Sequence, residues 1–280
     1  VRHIDAADIE AAVEKLCIEA NIYLNEDIRN ALVRGIELEE SETGRSVLES
    51  LVRNADIAAR EGLAICQDTG MAVVFVEIGQ SVHITGGSLE EAINNGVRKG
   101  YKKGYLRNSV VTDPLRRNNT GDNTPAVIHY DINNGDDLVI HMAPKGFGSE
   151  NMSVLKMLKP SDGIEGVKAV ITDAVSKAGP NPCPPVVVGV GIGGTMEKAA
   201  ILAKKALLRP VGSSNPDPYY KALEEELLES INRLGIGPAG LGGRITALGV
   251  NIETFPTHIA GLPVAVNISC HVTRHKSITL

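Results

Sequence analysis

Between residues 6 and 60 the apolar side chains fall at helical spacing, in Ile9, Val13, Leu16 and Ile18 and again in Ile28, Leu32, Val33 and Ile36, which predicts amphipathic helices. Asn25 and Ser41 stand where N-caps are expected, and a third helical stretch over about 44–61 stops at Gly62. The period then changes. Residues 71–78 form a continuous apolar run that reads as a buried strand, with a helix following near 88–103. The stretch 107–125 is polar, irregular and long, a combination more often functional than idle. Two strands follow, near 126–132 and 138–143, and Asn133-Asn134-Gly135-Asp136 between them predicts a hairpin. After a Gly-rich loop at 145–151 the pattern gives a helix at 163–178, a strand at 186–190, helices at 196–208 and 219–234, and a final strand pair near 244–253 and 263–268. No repeat, low-complexity tract or linker interrupts it. The expectation is one mixed α/β (α+β) domain over 1–280, with a helical segment over about 1–62 followed by mixed sheets with flanking helices over about 63–280.

Composition narrows the function classes. Hydrophobic residues make up 43% and charged residues 22%, as in ordinary soluble proteins, but aromatics only 3% with no Trp and three Phe. The core must therefore be built from Val, Ile, Leu and Ala, and stacking platforms for single-stranded nucleic acid lack their side chains. A net charge of -6 opposes general nucleic-acid binding, although a local Arg cluster can still hold a small anion. No run of about 18 apolar residues suggests a membrane span. The opening Val-Arg-His-Ile-Asp reads as a charged helix start and not as a signal peptide, so a cytoplasmic location is the expectation.

The four cysteines, Cys17, Cys66, Cys183 and Cys270, are widely separated and form no C-x-x-C pair, which argues against a zinc ribbon or a thioredoxin-type motif. Cys17 lies inside an amphipathic helix and reads as a small core residue. The other three lie in loops at the ends of expected elements: Cys66 before Gln-Asp-Thr-Gly, Cys183 in Pro-Cys-Pro-Pro, Cys270 in Asn-Ile-Ser-Cys-His. Such cysteines are either buried thiols or cluster ligands. Three thiolates on a four-iron cluster would leave one iron open to a substrate oxygen, which is the arrangement of a Lewis acid and not of an electron carrier.

Several longer motifs now fall in order: Cys66-Gln-Asp-Thr-Gly-Met, Asp113-Pro-Leu, Asn119-Thr-Gly-Asp-Asn-Thr-Pro-Ala126, Ala143-Pro-Lys-Gly-Phe-Gly-Ser-Glu-Asn-Met-Ser153, Cys183-Pro-Pro with Gly189-Val-Gly-Ile-Gly-Gly194, and His258 followed by Cys270. The chain resembles the α region of the class I, iron–sulfur-dependent fumarate hydratase and L-tartrate dehydratase family. The resemblance implies a [4Fe-4S] cluster on Cys66, Cys183 and Cys270. It also implies substrate contacts from Gln67, Arg107 and the backbone of Gly148, proton exchange by Asp68, and a pocket-lining, catalytic His258. Single-chain members carry a further domain with a catalytic Thr and carboxylate-binding Arg and Lys. The resemblance therefore implies that a β subunit supplies these to a small dicarboxylate substrate, in an α2β2 heterotetramer inactive as α alone. Fumarate hydration to L-malate is the first expectation and tartrate dehydration to oxaloacetate the alternative; a non-catalytic iron–sulfur subunit or sensor is the more distant one.

Each role has a plainer counterpart. Asp68 can serve as a turn residue bonding ahead to Gly70, Arg107 as a surface cation, and His258 as a cap on its own loop. Arg116, Arg117 and Lys145 receive no specific role. Gly189, Gly191 and Gly194 also satisfy G-x-G-x-x-G after a strand, so a dinucleotide site is a rival reading. About 20 residues on, where an acidic strand end is needed, the sequence is Arg209-Pro-Val-Gly. Close backbone packing behind the Cys183 loop accounts for the glycines better.

Overall fold

The computed structural model describes residues 1–280. The chain runs β1 (Arg2–Asp5), α1 (Ala6–Ile22), α2 (Glu26–Leu38), α3 (Glu42–Glu61), β2 (Met71–Gly79), β3 (Val82–Thr85), α4 (Leu89–Lys103), β4 (Val127–Asn133), β5 (Leu138–Lys145), α5 (Phe147–Glu150), β6 (Val154–Leu158), α6 (Gly163–Ala178), β7 (Val186–Gly193), α7 (Met196–Ala206), α8 (Pro218–Asn232), β8 (Ala247–Phe255), β9 (Leu262–Ser269) and β10 (Lys276–Thr279). The class is mixed α/β, as the sequence predicts. The expected caps are partly realised: Ser41 Oγ accepts from Gly44 N at 3.1 Å, whereas Asn25 sits at its N-cap without a side-chain bond to the first turn.

Contacts divide the chain into two compact units. The first comprises Val1–Leu24, Ala55–Phe147 and Arg274–Leu280, the second Asn25–Asn54 and Gly148–Thr273. The chain passes between them within α3 and beside short loops, so no linker marks the division in the sequence.

In the first unit a four-stranded sheet has the order β10-β5-β2-β4. β2 is parallel to β4, with Val74 opposite Ile128, and antiparallel to β5, with Val74 opposite Met142. Residues 72–76 of β2 are all buried, which suits a central strand, while Tyr130 and Ile132 are exposed on the edge strand β4. The hairpin expected between β4 and β5 is thus not formed, because β2 lies between them. The end of β2 binds the turn that passes over it: Gly79 N, Gln80 N and Ser81 N donate to the carbonyls of Asp137, Asn133 and Gly135 at 2.8–2.9 Å. Ile9, Val13, Leu16 and Cys17 of α1 pack with Ile93 and Val97 of α4 and with Val74, Val76, Ile140 and Met142 of the sheet. Cys17 is fully buried, as the sequence suggests, and burial pushes its thiol pKa up.

The second unit holds a sheet of order β6-β9-β7-β8. β7 is buried at every position, parallel to β8 (Val188 opposite Val250) and antiparallel to β9 (Val188 opposite Ile268). The expected β8–β9 pair is again split by an earlier, more apolar strand. The two sheets therefore share one topology that the sequence does not disclose: a buried strand, a helical crossover to a parallel neighbour, and a return antiparallel on the other side. β6 was not expected; Val-Leu-Lys-Met-Leu is too short to fix a period. A Cβ added to Gly189 or Gly191 would lie 2.1 and 2.0 Å from the carbonyl oxygens of Ala203 and Ala199, so these glycines seat α7 directly on β7.

Glu39, 2% exposed, joins separate parts of the second unit. Its Oε1 accepts from the backbone N–H groups of Glu40, Ser41 and Arg244 and its Oε2 from that of Ile245, at 2.8–2.9 Å. Burial raises its pKa, but these bonds outweigh burial and leave it below the usual range. Because the folded pKa is depressed, the stabilisation is complete above the unfolded pKa and is lost as pH falls through the folded value. Glu39→Gln is expected to lower stability at pH 7 by about 2 kcal/mol and to flatten the acid limb of unfolding below about pH 4.5. Urea unfolding at both pH values checks this; equal stability of the two proteins would contradict it.

Candidate active site

The sequence-predicted residues of the first unit gather on the loop that enters β2. Cys66 is half-buried and Gln67 exposed. Asp68 makes the anticipated turn bond, with Oδ1 accepting from Gly70 N at 3.0 Å, and its Oδ2 accepts from Phe147 N at 3.0 Å, just beyond β5. Thr69 Oγ1 accepts from Arg107 N at 2.9 Å, which brings the exposed Arg107 beside the loop. Gly70 has φ of 72° and so little room that an added Cβ would lie 2.6 Å from the carbonyl carbon of Lys145, a position only glycine can hold.

Residues without an assigned role fix this loop from below. The Tyr101 hydroxyl donates to the carbonyls of Thr69 and Gly70, 2.8 and 3.1 Å away, and burial pushes its phenol pKa up. Asn123, fully buried with φ of 60°, donates to Gly70 O at 3.2 Å and accepts from Ser109 N at 2.7 Å. The irregular 107–125 segment is thereby tied to the Cys66 loop. Asp122 anchors its far end; burial raises the Asp122 pKa, but bonds from Thr124 and Arg98 overcome this and hold it at about 2. Arg274 Nη2 donates to Asp68 O. The sequence signals for Tyr101 and Arg274 were slight, since each resembles an ordinary residue of its segment.

In the second unit Cys183 precedes β7 and Cys270 follows β9, and because these strands are antiparallel both cysteines lie at one end of the sheet. His271 Nδ1 lies 2.9 Å from Cys183 O, joining the two loops. Gly148 belongs to the same end: a Cβ there would approach Asn181 O at 3.7 Å, two residues before Cys183. Cys183 is exposed and has φ of 55°, a left-handed conformation costing a non-glycine residue about 1–2 kcal/mol. Such strain is typical of functional positions. Cys270 is half-buried.

His258 is not brought to this end. It sits exposed in the turn from β8 to β9, where Nδ1 accepts from Ala260 N at 3.2 Å. The eight residues of β9 separate it from Cys270 by about 26 Å at ~3.3 Å per residue. Within either unit, no group of three His, Cys, Asp or Glu side chains is arranged to hold a metal ion. Gly189 and Gly191 lie inside β7 in a mixed sheet, so they do not form the phosphate loop of a parallel dinucleotide fold. No helix is long and apolar enough to cross a membrane.

In the first unit the Cys66 loop thus carries a thiol, a carboxylate and an amide beside Arg107, and in the second unit two cysteine-bearing loops share one end of a sheet. Residues 10–279 match the profile of the fumarate hydratase (Fumerase) family, and the chain belongs to that family of hydro-lyases. Its relatives include a protein of Methanocaldococcus jannaschii, 46% identical over 95% of both chains, whose name as an L(+)-tartrate dehydratase subunit alpha is itself provisional. The L(+)-tartrate dehydratase subunit alpha of Escherichia coli strain K12 is 35% identical, covering 90% of this chain and 84% of its own.

Proposed function

We propose that the chain is the α subunit of an L(+)-tartrate dehydratase, with Cys66, Cys183 and Cys270 as ligands of a [4Fe-4S] cluster and with a β subunit completing the site. The tartrate dehydratase subunits named above, matched along nearly the whole chain, carry this reading. Fumarate hydration, the first expectation from sequence, becomes the second reading, favoured by the family's description. Three cysteines in loops, one exposed and two half-buried, suit the group chemically, whereas Cys17 inside α1 does not. The reading includes a cytoplasmic location, where thiols stay reduced, and an α2β2 assembly.

Dehydration removes a hydroxyl from one carbon and a proton from its neighbour; from tartrate this leaves an enol that tautomerises to oxaloacetate. The cluster, when bound, supplies a Lewis acid for the departing hydroxyl. Asp68, entering the step in its protonated form, gives that oxygen its proton and is left as a carboxylate whose two oxygens each accept one backbone N–H. Gln67 and Arg107, exposed beside it, bind the substrate hydroxyl and one carboxylate, and the exposed backbone at Gly148 approaches the substrate. The β subunit supplies a Thr that takes the carbon-bound proton and Arg and Lys for the second carboxylate. His258 lies at the far end of its sheet from Cys270 and carries no step in this reading.

The test is anaerobic co-expression with the β subunit and assays on L(+)-tartrate, D-tartrate, L-malate and fumarate. L(+)-tartrate is expected to turn over fastest, and Asp68→Asn to lower its kcat at least about 100-fold. Turnover of malate and fumarate alone would favour the second reading. Activity on none of the four would remove the hydro-lyase assignment.

A further inference from the structure

Arg274 is 5% exposed, and two of its guanidinium nitrogens, Nε and Nη1, are buried without a hydrogen-bond partner. Its one bond runs from Nη2 to the carbonyl of Asp68. The molecule gives its other deeply placed guanidinium two carboxylates: Arg209 contacts Glu224 and Glu253 and the oxygens of Ile252 and Asn251 through Nη1 and Nη2, leaving only Nε unbonded. Burying a cation without a counter-charge costs several kcal/mol, so a negative charge is required within reach of its field. The carbonyl it holds belongs to the loop that begins at Cys66, two residues earlier.

We propose that Arg274 is a positioning residue and the resident counter-cation of the Cys66 loop. It fixes the loop through the Asp68 carbonyl, and its charge offsets the negative charge that thiolate ligation places there. The inference rests on the iron–sulfur reading above. Nε and Nη1 are enclosed by protein, so Arg274 acts through the loop and its field and not by touching substrate. Removing the positive charge favours the oxidised, less negative cluster, which lowers its reduction potential.

The experiment compares anaerobically reconstituted αβ holoenzyme carrying wild-type, Arg274→Gln and Arg274→Lys chains. The cluster's midpoint potential is followed in a spectroscopic redox titration, with kcat and KM for L(+)-tartrate alongside. The expected result is a downward shift in Arg274→Gln, largely restored in Arg274→Lys, with kcat reduced at least tenfold (about 1.4 kcal/mol) in the Gln variant and KM changed less. Cluster loss in Gln but retention in Lys also supports the proposal, since Lys keeps the positive charge that Gln lacks. An unchanged potential in a loaded Gln variant overturns it, as does loss of the cluster from both folded variants. If Arg274→Gln yields no folded chain, Arg274→Lys decides: a wild-type potential supports the proposal and a lowered one overturns it. A wild-type holoenzyme without any cluster overturns the functional reading itself.

Discussion

Replacing Cys183 with glycine is expected to abolish dehydratase activity while leaving the chain as stable as before or up to about 1 kcal/mol more stable. The left-handed backbone at Cys183 costs about 1–2 kcal/mol, and glycine relieves it, against about 0.4–1 kcal/mol of extra unfolded-chain entropy. The thiol is exposed, so its removal leaves no cavity. Activity should fall at least about 1,000-fold, the scale of losing a directly stabilising group at the reacting centre. Urea unfolding of the isolated chain and turnover of the αβ enzyme separate the two effects. A destabilised but active variant would show that Cys183 is a packing residue.

Gly191→Ala is expected to have the largest effect on stability, a loss of about 3 kcal/mol or more. The methyl would lie 2.0 Å from Ala199 O and 2.7 Å from Ala203 N, both backbone atoms of α7, so the helix must move off the sheet. Val188, Val190 and Ile192 on β7 belong to the core of this unit, and displacement of α7 disturbs the strand that the Cys183 loop enters. Denaturant unfolding measures the loss. A variant as stable as wild type would contradict the direct seating of α7 on β7.

Much of this architecture was legible in the sequence, and the limits have physical causes. Helices with long apolar periods, such as α1 and α4, lie close to where the pattern puts them, because helical pairing is local. At β4–β5 and β8–β9 the sequence suggests strand neighbours that the structure separates, for one reason. Which strand takes the centre depends on burial over the whole unit, and β2 and β7, the most apolar runs, won places between strands adjacent in sequence. The packing role of the β7 glycines is legible because no acidic partner follows them, and α7 does lie against Gly189 and Gly191. At the candidate site the Cys66-Gln67-Asp68 motif announced itself, whereas Arg274 reads as an ordinary solvated charge until its burial is known. The strain at Cys183 is a backbone property that a cysteine does not advertise as glycine would. His258 shows the opposite case: the family resemblance implies a pocket role, and its unit places it at the far end of β9 from Cys270.

The most direct test is the iron and acid-labile sulfide content of the anaerobically prepared αβ enzyme, measured for wild type and for four single Cys→Ser variants. The account predicts a bound cluster in wild type and in Cys17→Ser, and its loss from Cys66→Ser, Cys183→Ser and Cys270→Ser. Full iron and sulfide in any of those three would remove that cysteine as a ligand, and full content in all three would contradict the claim that this chain holds the cluster through them.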